Sequence, residues 1–260
     1  MKQLQLAPGV TQLVEPLGVC MTLLQGTNAA LLVDAGYGLE DVNAAVSAAA
    51  GGKRLLAVLL THGHHDHALG AMRFPDTPVW LFPADGPVYE TYTGREQRER
   101  VLSYEGEQEL DAARREAYLS TPMPKPVKPP EEIDLGGMKV RIIETPGHTP
   151  GSAVVLVNDE ILITGDDWNM TTWLFFREAL PVREYRKNME GLMRLPFRQV
   201  ICSHQPGLYE REKLERFVSG LTDEALAGAE PCPEGTDRGI DTVCLNPAEG
   251  QRFVFDRAKL

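Results

Sequence analysis

Three things are scarce in this 260-residue chain: cysteine, basic charge, and long unbroken apolar runs. The four cysteines, Cys20, Cys202, Cys232 and Cys244, show no C-x-x-C spacing and are too few to staple a chain of this length. Reduced, mostly buried thiols are the expectation, with a Cys232 to Cys244 pairing left open. Lys and Arg number 26 against 37 Asp and Glu, a formal charge of −11. That balance argues against nucleic acid or an anionic membrane as partner, because phosphate binding draws its strength from counterions released to a basic surface. A local basic patch stays open. Nowhere is there an apolar run of about 18 residues, the length that spans a bilayer, and the opening MKQLQLAPGV holds no apolar stretch of signal-peptide length. The expectation is a cytoplasmic protein that acts on a small molecule, with a homo-oligomer left open.

What the chain does have is 43% hydrophobic residues, enough for one substantial core or two small ones. One domain over residues 1–260 is expected, with a charged segment inserted at about 85–130. Met21 to Leu24 and Ala29 to Val33 read as strands joined by a turn at Gln25-Gly26-Thr27-Asn28. Leu39 to Ala50 reads as an Ala-rich helix stopped by Gly51-Gly52. Leu55 to Leu60 is apolar at every position, which suits a strand covered on both faces. Ala68 to Met72 can begin a helix, and Val79 to Phe82 reads as the next strand. Asp85 to Ser120 is charged and helical, and the proline-dense stretch Thr121 to Pro130 after it should be an extended connector. Strands resume at Lys139 to Ile143, Ala153 to Val157, Ile161 to Thr164 and Gln199 to Cys202, with a helix over about Val182 to Leu195 and a final hairpin from Thr242 to Phe255.

Histidine is scarce too, yet four of the six lie in one run, Thr61-His62-Gly63-His64-His65-Asp66-His67, and the others are His148 and His204. Five expected strands end at such a residue or at an aspartate: Asp34, His62 onward, His148, Asp166 and His204. Strand ends that share an edge are where layered folds of helix and sheet build their sites. In extended chain His62 and His64 point the same way and can address one ion, with His148 as a third imidazole from the turn TPGHTPGS. Asp66 and His67 lie where loop becomes helix and can hold a second ion with His204, while Asp166 has two oxygens with which to bridge both. Without metal the run would bury several polar rings with no partners. His65 falls on the other side, as a supporting or exposed residue.

On these motifs the chain resembles the metallo-β-lactamase superfamily: THGHHDH at 61–67, TPGHTPGS at 145–152, TGD at 164–166, the strand-terminal Asp34, and SH at 203–204. The resemblance covers about residues 20–205. It implies an α/β (α+β) fold, a four-layer αββα sandwich, with a dinuclear site at one edge. It also implies His62, His64 and His148 as ligands of the first ion, Asp66, His67 and His204 of the second, and Asp166 between them. Departures from the family's better-known members narrow the activity. β-Lactamases of the family lack the bridging aspartate, and acyl-homoserine lactonases carry tyrosine where this chain has Asn169. No glutathione signature is clear, and no residues remain for a flavodoxin-like domain.

The expected activity is hydrolysis of a small ester, thioester, lactone or related substrate by a metal-activated water, with two divalent ions, zinc first and iron or manganese as alternatives. Asp66 is both ligand and catalytic orienter. Asp34, Thr145 and Ser152 are candidates to fix the histidine rings through hydrogen bonds. Trp168, Asn169 and Trp173, with Phe175 and Phe176, are candidate pocket residues, as are Tyr89, Tyr92 and Tyr104 of the insertion. An iron-dependent oxidoreductase handling oxygen or a persulfide, and a nucleotide phosphodiesterase, are the alternatives.

Overall fold

A computed structural model describes residues 1–104 and 110–260 and divides them into two compact units. The first comprises Met1–Pro129 and Asp134–Met138, the second Pro130–Ile133 and Lys139–Leu260.

The first unit is built on a mixed six-stranded sheet in chain order: β1 (Lys2–Ala7), β2 (Val10–Val14), β3 (Cys20–Gln25), β4 (Ala29–Val33), β5 (Arg54–Leu59) and β6 (Val79–Trp80). The first four strands run antiparallel, and β4, β5 and β6 are parallel neighbours. Parallel neighbours need a crossover, and α1 (Val42–Ala50) supplies the one between β4 and β5. It starts three residues later than its apolar pattern suggests, because Asp41 accepts a hydrogen bond from the Ala44 N–H and caps it there. Gly51 then ends it in the left-handed conformation. Only the second half of β5 is fully buried. The β1–β2 hairpin was not expected from the apolar runs, since glutamines interrupt both strands.

After β5 come the short α2 (His65–Ala68) and then the insertion, with α3 (Gly86–Thr93), α4 (Arg95–Tyr104) and α5 (Ala112–Ser120). The expected helical character holds over its described residues; the Tyr104 side chain lies outside them. Arg98 staples the insertion from a buried position, donating to the carbonyls of Thr93, Tyr118 and Thr121 at 2.9, 2.9 and 2.7 Å. The Tyr118 hydroxyl donates to the Tyr37 carbonyl, which ties α5 to the loop after β4. The connector is extended as its prolines require, with Val127 bridging to Trp80.

The second unit holds two sheets. One, in the order β13-β12-β10-β9-β8-β7, contains β7 (Glu132–Asp134), β8 (Lys139–Glu144), β9 (Ala153–Val157), β10 (Ile161–Ile163), β12 (Gln199–Ile201) and β13 (Tyr209–Glu210). The other, β11-β16-β15-β14, contains β11 (Thr171–Leu174), β14 (Glu230–Pro231), β15 (Thr242–Ala248) and β16 (Gln251–Asp256). The chain crosses from β10 to its parallel neighbour β12 through α6 (Val182–Leu192). That helix buries Val182, Tyr185, Met189 and Leu192, the spacing of one helical face. The stretch after β13 forms two helices, α7 (Arg211–Gly220) and α8 (Asp223–Ala227). Rings of Trp168, Phe175, Tyr185, Phe197, Phe217, Phe253 and Phe255 fill the core.

Candidate functional site

In the first unit β5 delivers the histidine run. His62 and His64 present ligand atoms within 4.8 Å of each other, and so do His62 and His67. Asp66 Oδ2 is 3.6 Å from His67 Nε2. The run is held from two directions. Asp34, one residue past β4, takes up a left-handed φ of 61°, which short polar residues tolerate better than most. From there its carboxylate accepts the Thr61 N–H at 2.8 Å and the Thr61 hydroxyl at 3.0 Å, and meets His67 Nδ1 at 2.9 Å. A carboxylate at Nδ1 takes that nitrogen's proton in hydrogen bonding and leaves the Nε2 lone pair for a cation. The Thr61 hydroxyl also sits 3.1 Å from His62 Nδ1, so the same logic reaches a second ring.

The other support comes from the insertion. Asp85, fully buried, accepts the Gly63 N–H between the two extended histidines. Gly63 has to be glycine: a Cβ there would meet the Tyr89 backbone nitrogen at 2.5 Å, because α3 packs directly on the run. Asp85 marks the start of the charged segment in the sequence, but nothing in its neighbourhood announces a partner 22 residues earlier. His65 is half-buried, and its ring stacks on Tyr92 with centroids 5.8 Å apart. Burial lowers its imidazole pKa, against the raising effect of Asp66.

In the second unit the donors come from three separate turns. His148 Nε2 is 3.7 Å and His204 Nε2 3.1 Å from Asp166 Oδ2. His148 Nδ1 faces the Trp173 carbonyl at 2.7 Å, a backbone acceptor from β11 that leaves Nε2 directed at the carboxylate. Asn169 organises the other two: its Nδ2 donates to Asp166 Oδ1 at 3.1 Å, and its Oδ1 accepts the His204 N–H at 3.1 Å. Gly147 lets the turn lie on α6, since a Cβ would meet the Tyr185 ring at 2.7 Å. Asp167 Oδ1 accepts the His148 N–H at 3.3 Å, and the Tyr185 hydroxyl donates to the Asp167 carbonyl. Thr145 and Ser152 bond the turn itself: the Thr145 N–H donates to the Ser152 carbonyl, and the Ser152 hydroxyl accepts the Thr149 N–H.

The aromatic residues singled out in the sequence separate. Trp168 is fully buried with Nε1 donating to Gln251, and Tyr89 is buried with its hydroxyl on the Pro124 carbonyl, so neither ring faces solvent. Asn169 is buried in the role just given. Trp173 is 41% exposed, and its ring leads through Phe175 to Phe176, which lies edge-on to His148 at 5.4 Å. Tyr92 lies 4.4 Å from the His64 ring.

Taken together the donors are imidazole nitrogens and carboxylate oxygens, with the second nitrogen of His67 and of His148 held by an acceptor. Such a set suits a divalent first-row cation such as zinc, iron or manganese. A sequence model of the metallo-beta-lactamase superfamily matches residues 14–166, and the chain belongs to that superfamily. It is 28% identical over 225 residues to an acyl-coenzyme A thioesterase, MBLAC2 of Gallus gallus, a match covering 78% of each chain. It is 31% identical over 174 residues to a hydroxyacylglutathione hydrolase of Acidiphilium cryptum, covering 66% of this chain and 57% of that one. Several other relatives are matched over half of their length or less. A beta-lactamase domain protein from Burkholderia ambifaria shares the fold at a TM-score of 0.63 and 19% identity, over 88% of this chain and 77% of that one. At this coarse level the chain is a hydrolase with the metallo-β-lactamase fold. No described helix is long and apolar enough to cross a membrane.

Proposed function

We propose that the protein hydrolyses the thioester of a small acyl group with divalent metal ions, and that the ligands are His62, His64, Asp66 and His67 of the first unit and His148, Asp166 and His204 of the second. The observation that carries this reading is the match to an acyl-coenzyme A thioesterase over 78% of both chains, with a hydroxyacylglutathione hydrolase as a second relative. Both names denote an acyl group on sulfur. The donor inventory suits metal ions: the first unit offers three imidazoles and a carboxylate, and the second two imidazoles and a carboxylate.

Divalent ions held by these residues would lower the pKa of a bound water from about 15.7 to near 7 and would offer positive charge to the carbonyl oxygen. The chain's own part is to arrange and hold. Asp34 and the Trp173 carbonyl keep the Nδ1 atoms of His67 and His148 engaged, so both rings present Nε2. Asn169 fixes Asp166 on one oxygen and leaves the other for its histidine neighbours. Asp66 orients the nucleophile. The exposed Trp173 ring, backed by the buried Phe175 and Phe176 next to His148, gives an apolar wall suited to an acyl chain.

The test is a panel of acyl-coenzyme A and hydroxyacylglutathione thioesters beside lactone, β-lactam and phosphodiester substrates, with metal content measured on the same protein. Thiol release that disappears on chelation, returns with zinc and is abolished in His64→Ala is the expected result. Phosphodiester turnover without thiol release overturns it in favour of a nucleotide substrate. Iron with oxygen uptake and no hydrolysis overturns it in favour of redox chemistry.

A further inference from the structure

Apart from the histidines and aspartates, the most reactive grouping in the second unit is a pair of thiols. Cys232 follows β14 and Cys244 lies in β15. The register sets Glu230 opposite Cys244 and Pro231 opposite Val243, and the Cys232 N–H donates to the Thr242 carbonyl at 3.1 Å. The two cysteines are therefore diagonal neighbours on one face of the ladder. Both are free thiols, Cys232 buried and Cys244 half-buried. Arg252 of β16 lies against the pair: its Nη2 is 3.2 Å from Cys244 Sγ, and its guanidinium pairs with both oxygens of Glu234, two residues past Cys232. Packing alone would be met by any two small apolar residues; it does not call for an ion pair laid against sulfur.

We propose that Cys232 and Cys244 form a redox pair that hydrogen peroxide closes reversibly to a disulfide. The Cys244 sulfur attacks one peroxide oxygen, the O–O bond breaks, and one water leaves a sulfenic acid behind. The Cys232 sulfur then attacks the sulfenic sulfur, an S–S bond forms, the S–O bond breaks, and a second water departs. The two thiols together lose two protons and two electrons, all taken up by the peroxide. Arg252 places positive charge beside the sulfur that attacks first. Burial pushes the Cys232 thiol up to about 11, which suits the resolving partner and not the attacker.

Closure has a mechanical consequence. Diagonal neighbours on a ladder stand about 7–8 Å apart between Cα atoms, whereas a disulfide spans roughly 4.4–6.8 Å, so the bond draws the end of β14 toward β15. The next segment, Pro233 to Gly239, carries Gly235, where a Cβ would stand 3.0 Å from the Phe175 ring, and Arg238, whose guanidinium lies 5.1 Å above Phe176. Phe176 in turn packs on His148. Oxidation thus shifts a segment that supports the aromatic wall, and any effect on turnover rests on the hydrolase reading above.

The full chain, as purified, is exposed to graded hydrogen peroxide, alkylated and mapped by peptide mass. The expected result is loss of two of the four thiols, a cross-linked peptide joining 232 and 244, and recovery with dithiothreitol. Cys244→Ser, checked for folding by thermal melting, should give no cross-link, and Arg252→Gln should slow closure at least tenfold. If Cys244→Ser does not fold, the wild-type peptide map alone decides. Oxidation of Cys244 to the sulfinic acid without a cross-link, or prior loss of Cys20 or Cys202, overturns the proposal. Hydrogen exchange of 233–239 should change on oxidation; unchanged exchange with the disulfide formed overturns the coupling. A disulfide and altered exchange in a protein that turns over no thioester support the redox pair and count against the hydrolase reading alone.

Discussion

The two units bring their donors to place by opposite means. In the first, four come from one run of six residues at a strand end, and the supports are side-chain carboxylates from remote strands and helices: Asp34 on Thr61 and His67, Asp85 on Gly63. In the second, three donors come from three turns, and the supports are a backbone carbonyl and the Asp167 carboxylate on His148 and a single amide side chain on Asp166 and His204. A dense run leans on outside bracing, to which the Thr61 hydroxyl on His62 Nδ1 adds one local contact. Dispersed turns are braced by their own strands. It follows that the first unit is the more vulnerable to substitution around its ligands.

Asp34→Ala tests that asymmetry most severely. It removes the acceptor for the Thr61 N–H and hydroxyl and for His67, all buried. It also leaves alanine at a φ of 61°. Lost charged hydrogen bonds of about 1.5–3 kcal/mol each predict a stability drop of about 4 kcal/mol or more by chemical denaturation. Metal affinity should fall by about 10–100-fold, read by competition with a chelating dye. In the second unit no side-chain change removes the Trp173 carbonyl, and Trp173→Ala should leave metal affinity as it was. An affinity loss in Trp173→Ala as large as in Asp34→Ala would erase the distinction.

Glu15, on the turn after β2, sharpens the comparison because it is a buried carboxylate of the first unit that is not itself a donor, though the charge of Asp66 acts on it. It is 3% exposed, its Oε2 accepts the Tyr37 N–H at 3.0 Å, and a Cβ on Gly36 would collide with it. Burial raises its pKa from 4.5 to about 7, against the lowering effect of the Tyr37 and Gly38 amides. The folded chain then holds this proton more tightly than the unfolded one. Its contribution to stability is full below about pH 4.5 and is lost as pH rises toward 7, a span of about 3 kcal/mol. Glu15→Gln should flatten that part of the stability profile, with little change at pH 4 and a gain above pH 7. An unchanged pH slope in the variant would show the carboxylate already ionised in the fold.

The contrast between the units also explains what the sequence made legible. The run at 61–67 could be grouped because its periodicity is local. His148, Asp166 and His204 could be grouped because each follows an apolar strand, and β8, β10 and β12 lie near their expected limits. Asp34 stood out for the same reason. Asp85 and the structuring role of Asn169 did not, since each holds a backbone N–H far along the chain, Gly63 for Asp85 and His204 for Asn169. The β1–β2 hairpin was masked by its glutamines, and Trp168 and Tyr89 looked like pocket walls because aromatic content reveals bulk but not direction.

Asn169→Ala is the matching test in the second unit. Its loss strips one hydrogen bond from Asp166 and one from the His204 backbone. Because β10 and β12 still hold both residues in place, the expected cost is about tenfold in metal affinity, the low end of what supporting residues contribute. A hundredfold loss would mean that the turns depend on this amide as heavily as the histidine run depends on Asp34.

Asp85→Asn should have the smallest effect, and it probes the brace that only the insertion provides. Asparagine keeps the shape and one acceptor oxygen but turns a charge-assisted bond to the Gly63 N–H into a neutral one. About 1 kcal/mol of stability is at stake on that account. Because α3 still presses on Gly63 through the Tyr89 backbone, the run keeps its path and metal affinity should fall by less than in Asn169→Ala. The comparison is made by titrating both variants side by side. If Asp85→Asn proves the more damaging of the two, the charge on this carboxylate shapes the donor set itself, and the insertion becomes part of the site.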